Sequence, residues 1–570
     1  MVATESPLEK RQRYLRRLAE LKVAQSSWRP HWMDLSDYIA PRRAQFLLSE
    51  ADRGSTKNEN IINSTATWGV RTLAAGMASG ITSPARPWFR LTTANPDLAE
   101  LASVKEWLYV VEDRIRWAFA RSNIYKSFPA VYYDLGYIGT APMLLEDDPL
   151  RTIRTYTFPV GSYYIANDDR GKVDTFYREF HYTTAQLVRK FGAEACSDVV
   201  QRAAREGRVD ERHAVLHAIQ PNNYAVPGRL DSRGMAVSSC WLEINSSDSK
   251  RPFLREHGYR EFPVACPRWV THGDDVYGSS PGMDVLGDVK GMQVLERRKL
   301  QAIDKMINPP LRGSSKLVGK TVSMTPGAIT ADDSVLAHHA VAPLHEVDPA
   351  AVREAREEIL QHERRIKTGF YADLFLVLEN IDKAGMTARE VIERVNERML
   401  QLGPTLETLN DELLDPIIDR TFNTLQRNML LPEPPEELYG SDLRIEYNGI
   451  LAQAQKALGT GNLRELLSLA GQIFEVKPDI IDKLDTDAIL DEYSVMLGVN
   501  PTVVRTDEVV EQVRADRAKQ LAQQQALAQA QVEVDGAKTL SETDTEGDNA
   551  LTRILDSMGA GRSAGVVGSR

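Results

Sequence analysis

Three places in this 570-residue chain carry residue types that could do chemistry. The stretch GSSKLVGKT, Gly313 to Thr321, approaches a phosphate-binding loop. Such a loop must lead from a buried strand into a helix whose N-terminus cradles the phosphate. This one has one residue too many between its glycines, with PPLR before it and VSMTPG after it, so nucleotide binding is not expected. His338, His339 and His345 cluster, but HEVD lacks the second histidine that a zinc-protease helix places one turn along. His272-Gly273-Asp274-Asp275 could be drawn as a metal or acid–base site, with Asp274 and Asp275 as the carboxylates of a nuclease. Its setting, between a strand ending at Val270 and a loop at Tyr277, reads instead as a polar turn. Asp147-Asp148 and Asp168-Asp169 are also followed by turn formers. There is no GxSxG, no ordered Ser/His/Asp set and no Rossmann fingerprint. The sequence does not read as an enzyme and calls for no cofactor and no metal.

The totals set the frame for what positions these residues. The chain is too long for one compact core, so two or more domains are expected. Hydrophobic residues make up 42% and charged residues 26%, the balance of a folded soluble protein. Cys196, Cys240 and Cys266 are scattered, odd in number and never in a CxxC pair, which argues for a reducing compartment. No apolar run reaches the length of a membrane span, and MVATESPLEKRQRYLRRLAE lacks the apolar core of a signal peptide. Asn63-Ser64-Thr65 and Asn245-Ser246-Ser247 match the glycosylation pattern, which means nothing in a cytosolic protein. A net charge of -11 argues against a broad basic face that grips nucleic acid, though not against a surface past which DNA slides.

Residues 6–40 read as helix, with Arg11, Arg13, Arg16, Arg17 and Lys22 on a solvated face. RGSTKNENIINSTA reads as a polar loop. Ile61 to Ser79 then reads as a helix whose Ala74, Ala75, Gly76, Ala78 and Ser79 permit close approach of a neighbour. From Trp88 to about Tyr164 helices alternate with short strands. TIRTYTFPVGSYYIAND and DTFYREFHYT change to a period of two and read as β hairpins turning at Asn167 to Gly171. A further β section covers roughly 212–275. The first half is therefore α+β, and the chain as a whole is α+β and mainly helical.

After residue 283 long helices take over. In YGSSPGMDVLGDVKGMQVLERRKLQAIDKMINPPLRG, from Tyr277, a turn at Gly278 to Gly282 and the pair Pro309-Pro310 bracket a rod. It has roughly 25 residues and a length of about 37 Å. Val285, Val289, Met292, Leu295, Leu300, Ile303 and Ile307 form an interrupted apolar stripe, and Glu296, Arg297, Arg298, Lys299 and Asp304 take much of the rest. A glycine- and β-rich excursion over 309–347 follows, then a second rod, VREAREEILQHERRIKTGF, from near Pro349. YADLFLVLENIDKAG reads as an apolar loop. A long run from Met386-Thr387 should be kinked or segmented at Gly403-Pro404 and Pro416. Further helices are expected around 449–475 and 479–497, then the Gln/Ala-rich RADRAKQLAQQQALAQAQ and a disordered tail. The two rods bracket the excursion, so they can lie side by side and display it at their far end. Neither is apolar enough for the core of a large monomeric domain. Such helices can be satisfied by packing against copies of themselves in a ring.

In this order the segments resemble podovirus portal proteins, the head-to-tail connectors of T7-like phages. The run from Tyr277 looks like that family's first stem helix. GMTAREVIERVNERMLQLGPTLETLNDELLDPIIDRTF resembles its long helix after the channel loop. INSTATWGVRTLAAGMASGITSPARPWFRL and IYKSFPAVYYDLGYIGTAPMLLEDD match its N-terminal half, so the resemblance covers roughly residues 8–475. It implies a wing at 1–282, stem helices at 283–308 and 349–369, a clip at 309–348 and a channel loop at 370–386. A long kinked wing helix and connection at 387–448 and crown helices at 449–500 follow. A Gln/Ala-rich helix at 501–535, a candidate for a barrel, and a disordered tail at 536–570 complete the layout.

The resemblance further implies a ring, usually of twelve subunits, at one capsid vertex of the virion, assembled in the host cytoplasm. Double-stranded genomic DNA would be pumped through its channel by a separate terminase motor and held until ejection. The implied partners are the major capsid protein, a scaffolding protein, the terminase large subunit and a tail adaptor protein, with no membrane. Arg364, Arg365 and Lys367, near the end of the second rod, are candidates for phosphate contacts, or for intersubunit pairing with Glu357, Glu358 or Glu363. In the loop, Phe375, Leu376 and Leu378 would buttress a movable element, with Asn380, Asp382 and Lys383 nearest DNA. Arg312, Lys316 and Lys320 are candidates for the clip's interface with terminase and tail. The acidic balance suits a channel that must not bind a polyanion tightly. The alternative is a capsid or tail scaffold component without a DNA channel.

Overall fold

The computed structural model describes residues 6–43, 57–225, 228–229, 231–232, 234–246, 248–309, 311–313, 341–343, 347–379, 401–440, 442–448, 485, 487–490 and 507–542. It divides into two compact units, Met1–Thr486 and Asp487–Arg570.

In the first unit the chain enters through a capping box, in which Ser6 and Glu9 satisfy each other's backbone N–H at the start of the helix Pro7–Gln25. The expected single helix over 6–40 is two, because Ser26 closes the first and Pro30 sits in the first turn of the second, Arg29–Tyr38. The first helix buries Tyr14, Leu18 and Leu21 against Tyr177, Leu216, Cys240 and Leu242 of a five-stranded antiparallel sheet. Its basic face is not simply solvated. Lys22 Nζ pairs with Glu179 at 2.5 Å and Arg11 donates to the Glu243 carbonyl at 2.7 Å, tying the helix to the sheet.

The sheet runs Tyr163–Asn167, Val173–Thr183, Arg212–Pro221, Val237–Glu243 and Arg255–Tyr259 in spatial order. Its first hairpin turns where the period-two pattern places it. Asp168 Oδ1 accepts from Arg170 N and Lys172 N at 2.9 and 2.8 Å, and Gly171 takes a φ of 79°. A three-stranded sheet joins Thr152–Thr157, Met143–Asp148 and Val264–Ala265. Phe89–Thr93 pairs with Leu443–Tyr447, so a strand late in the unit closes onto one near its start. The main core gathers Trp32, Trp88, Phe119, Phe128, Tyr132 and Tyr137 between these sheets and the helices Ala102–Arg121 and Ile124–Ile138. Cys196, Cys240 and Cys266 are buried free thiols. Burial pushes Cys196 and Cys240 up to about 11.

The long run after the loop is segmented at Pro416. Residues 401–409 are helical through Gly403-Pro404, a π turn follows at Asn410–Leu414, and a helix resumes over Asp415–Arg427. Asp415 N–H reaches back five residues to the Asn410 carbonyl, which widens the turn just before the proline that has no N–H to give. In the second unit a helix spans Asp507–Glu542, past the expected boundary at 535, and Arg514 grips Asp487 through two hydrogen bonds of 2.7 and 2.8 Å. Residues 449–484 and 491–506, which include most of the expected crown, and the tail from 543 lie outside the described residues.

Candidate functional site

The residues expected to matter lie on two rods and at the root of the segment that leaves them. The first rod is Pro281–Ile307, 27 residues or about 40 Å. Ser280 caps it by accepting from Met283 N at 3.1 Å, with Pro281 in the first turn. The second rod, Pro349–Gly369, starts the same way, with Asp348 Oδ1 accepting from Ala350 N at 2.8 Å. Between them Leu311–Gly313 pairs antiparallel with Val341–Pro343, so a two-stranded ribbon springs from the ends of the rods and carries the excursion. Arg312 lies on that ribbon; Lys316, Lys320 and the histidines at 338, 339 and 345 lie outside the described residues.

The rods run antiparallel. Val285 meets Gly369 near one end, while Gly291 faces the His362 imidazole, where an added Cβ would come within 3.4 Å. Between these contacts Asp288 Oδ1 stands 2.8 Å from His362 Nδ1 and 3.3 Å from Arg365 Nη1. Burial covers only the first half of the apolar stripe. Val285, Val289 and Met292 are buried, but Leu300 is 51% exposed and Ile307 78%. On the second rod Ile359 and Ile366 are buried while Leu360 is exposed.

One side chain clasps both rods. Asn63 Nδ2 donates to Glu296 Oε1 at 3.2 Å and to Glu363 Oε1 at 2.9 Å. Gln293, 2% exposed, completes the clasp. Its Oε1 accepts from Ile62 N and Asn63 N at 2.8 and 2.9 Å, and its Nε2 donates to the Asn63 carbonyl at 2.7 Å. These bonds commit residues 61–63 to the rods, so the helix expected from Ile61 begins at Thr65 and runs to Gly80. Glu296 was expected on a charged outer face; instead it is held between Asn63 and Lys299, the latter at 2.5 Å. Sequence reasoning saw in Asn63 only an idle glycosylation pattern. The available signal was an Asn just before a helix start, where its Oδ1 now accepts from Thr65 N at 3.0 Å.

The end of the second rod docks on the same helix. Phe370 and Phe375 sit over Gly69 and Gly76, where any Cβ would overlap their rings. The expected close approach at Gly76 is therefore filled by Phe375. Between the two, Tyr371 adopts a φ of 53°, an uncommon conformation for a bulky residue, and its ring lies tilted against Trp269 with centroids 6.0 Å apart. The segment expected as loop is helical over Ala372–Glu379, because Leu374 and Phe375 bury against this helix instead of reaching solvent. Asn380, Asp382 and Lys383 lie outside the described residues, as do the side chains of Leu376 and Leu378. Of the three basic candidates, Arg365 pairs with Asp288 on the other rod, and Lys367 pairs with Glu363 one turn back at 3.8 Å. Arg364 is exposed and forms no ion pair among the described residues. Two of the three are thus satisfied within one chain.

A second buried pair fixes the π turn. Arg268, 6% exposed, binds Glu412 through its side chain and its backbone N–H, the latter at 2.8 Å, and donates to the Gly171 carbonyl at 2.7 Å. Burial alone would lower the Arg268 pKa, but its bond to Glu412 raises it. His272 to Asp275 form the expected turn, with Asp275 N donating to the His272 carbonyl at 3.1 Å and Gly273 at a φ of 56°. Among the described residues no group of three or more His, Cys, Asp or Glu could hold a metal ion. No described helix is long and apolar enough to cross a membrane.

The profile of the family described as bacteriophage head to tail connecting protein matches residues 11–504. The chain belongs to that family. The match runs past 475, where the recognisable motifs end. The chain is 43% identical over 551 residues to the portal protein of Salmonella phage epsilon15, covering 96% of this chain and 99% of the relative. It is 40% identical over 543 residues to the probable portal protein of Bordetella phage BPP-1, covering 95% and 97%. As a member of this connector family, the chain is a component of the phage particle at the junction of head and tail. No finding supports the scaffold alternative.

Proposed function

We propose that copies of this connector close into a ring, a dodecamer, at one vertex of the capsid. In it the paired rods form the wall of a channel through which double-stranded DNA is packaged, retained and ejected. The observation that carries this is the uneven burial of the rods. Leu300, Met306 and Ile307 expose apolar surface beyond the clasp, and Val294 and Leu360 expose it on the outer side at the level of the clasp, as helices do when their remaining partners are neighbouring copies. In this reading residues 1–282 form the wing, 309–348 the clip and 449–500 the crown. The ribbon carrying Arg312 then presents Lys316 and Lys320 to the terminase large subunit and afterwards to the tail adaptor. Major capsid protein and scaffolding protein meet the outer surface during assembly in the host cytoplasm. The motor is a separate protein, so this chain needs no nucleotide site of its own.

Of the three candidates Arg364, Arg365 and Lys367, Arg364 is the one left exposed and without an ion pair among the described residues, and so free to meet phosphate. Asn380, Asp382 and Lys383 belong to the loop assigned to the channel. Deleting 376–384 tests the assignment. Rings are expected to form while DNA packaging or retention fails; loss of ring assembly in that deletion would remove the separate loop.

A further inference from the structure

The five-stranded sheet carries a row of side chains in direct lateral register, one from each strand: Tyr163, Arg178, His217, Trp241 and Arg255. Residues directly opposite share a face. The row is rich in cations and poor in partners for them. The Arg178 guanidinium lies between Phe158 and Phe180, 4.6 and 4.0 Å from their ring centroids, and its buried Nε finds no partner among the described residues. His217, fully buried, stacks on Trp241 with centroids 3.8 Å apart. Its Nε2 meets Ser239 Oγ at 3.0 Å, while Nδ1 is unpartnered among the described residues. Lys190 Nζ lies 3.9 Å from the Trp241 centroid and donates to Tyr182 Oη at 3.2 Å. Arg255 donates to the Lys190 carbonyl at 3.0 Å.

Buried charges are ordinarily paired, and leaving one unpaired is costly. Burial holds Arg178 and His217 below their ordinary pKa values, and the partial cover of the surface residue Lys190 against Trp241 lowers its own; Glu146 acts on both Arg178 and Lys190 and forms no ion pair with either among the described residues. We propose that the accessible rim of this row, Arg178 and Arg255 with Lys190 beside them, is a carboxylate-recognition site where an acidic side chain of a partner protein docks, while Tyr163, His217 and Trp241 lie beneath it in the core. The flat guanidinium, held between two rings, offers its fork to both carboxylate oxygens, and the Lys190 ammonium adds a second charge at the rim. A nucleic acid does not fit here. The row offers two guanidiniums on separate strands instead of a continuous basic track, on a chain of net charge -11.

The test uses the purified full chain, a tetraglutamate peptide and inorganic phosphate at matched ionic strength, read by calorimetric titration. The peptide is expected to bind, and phosphate at the same concentration not to displace it. Arg178→Gln should weaken binding about tenfold or more, the loss expected for a charged hydrogen-bonding partner. Lys190→Gln, a surface change that leaves the sheet intact, should weaken it severalfold and decides the matter if Arg178→Gln does not fold. No binding to the unaltered chain, or equal binding by both variants, overturns the proposal. Equal competition by phosphate overturns it too, by making this a general anion site. The result does not depend on ring formation.

Discussion

Asn63 holds Glu363 of the second rod at 2.9 Å, and the same side-chain nitrogen reaches Glu296 of the first at 3.2 Å. A single neutral amide thereby stands between two carboxylates that would otherwise face each other with one fewer donor. Asn63→Ala should destabilise the first unit by about 1–3 kcal/mol, the cost of stranding partly buried partners. Asn63→Asp should cost more, because it adds a third negative charge at the same point. Urea unfolding of both variants checks the order, and an Asp variant as stable as the parent would contradict the clasp.

Gly76 and Phe375 form a second joint, a notch and its filling ring. Gly76→Ala puts a methyl group where the ring already lies, for a cost of about 1–3 kcal/mol. Phe375→Ala empties the notch and should cost about 3 kcal/mol. The double variant should lose less than the sum, since the new methyl then occupies vacated space. Additive losses in chemical denaturation would mean that the two residues do not share this space.

Glu112 gives a pH signature. It is 7% exposed and accepts from Leu91 N at 2.9 Å, and burial raises its pKa despite that bond and the nearby Arg116 and Arg90. A raised carboxyl pKa means that the folded chain holds this proton more tightly than the unfolded one. Its contribution to stability is therefore greatest at acid pH and is lost as pH rises from the ordinary glutamate value through the raised one. Glu112→Gln keeps a side-chain oxygen for Leu91 N and removes the charge. It should flatten the part of the stability–pH curve that lies above the ordinary glutamate value in thermal unfolding. An unchanged curve would count against the buried charge.

Arg364 and Arg365 adjoin in sequence but differ in their partners. Arg365→Ala loses a half-exposed pair with Asp288 and should change stability by less than about 1 kcal/mol. Arg364→Ala should leave stability within about 0.5 kcal/mol and reduce DNA retention in assembled particles, most at low salt and less as salt rises and screens the lost contact. Equal retention by the parent and Arg364→Ala across the salt series would take Arg364 out of the channel wall.

Much of the fold was legible because local signals agreed with tertiary ones. The rod was bracketed in the sequence by the turn at Gly278 to Gly282 and the double proline, and the structure places it there, with Pro281 and Gly282 of the expected turn already helical and the last helical residue Ile307. The hairpin turn at Asn167 to Gly171 combined alternation with Asx chemistry. Partnerships between distant segments were not legible. Nothing near Asn63 in the sequence points to residues 296 and 363, and nothing near Arg268 points to Glu412. The apolar run after Tyr371 is equally suited to loop or helix; the glycine notches of a helix some 300 residues earlier decide it. The basic face of the first helix misled for the same reason, since Glu179 and Glu243 belong to strands far along the chain.

The central claim is that these subunits close around a channel with the rods as its wall. Electron microscopy of the purified full chain tests it most directly. Closed rings of fixed symmetry with a central hole, lined in reconstruction by Pro281–Ile307 and Pro349–Gly369, are the predicted result. Solid or filamentous particles, or rings whose hole is lined by the five-stranded sheet, would contradict it.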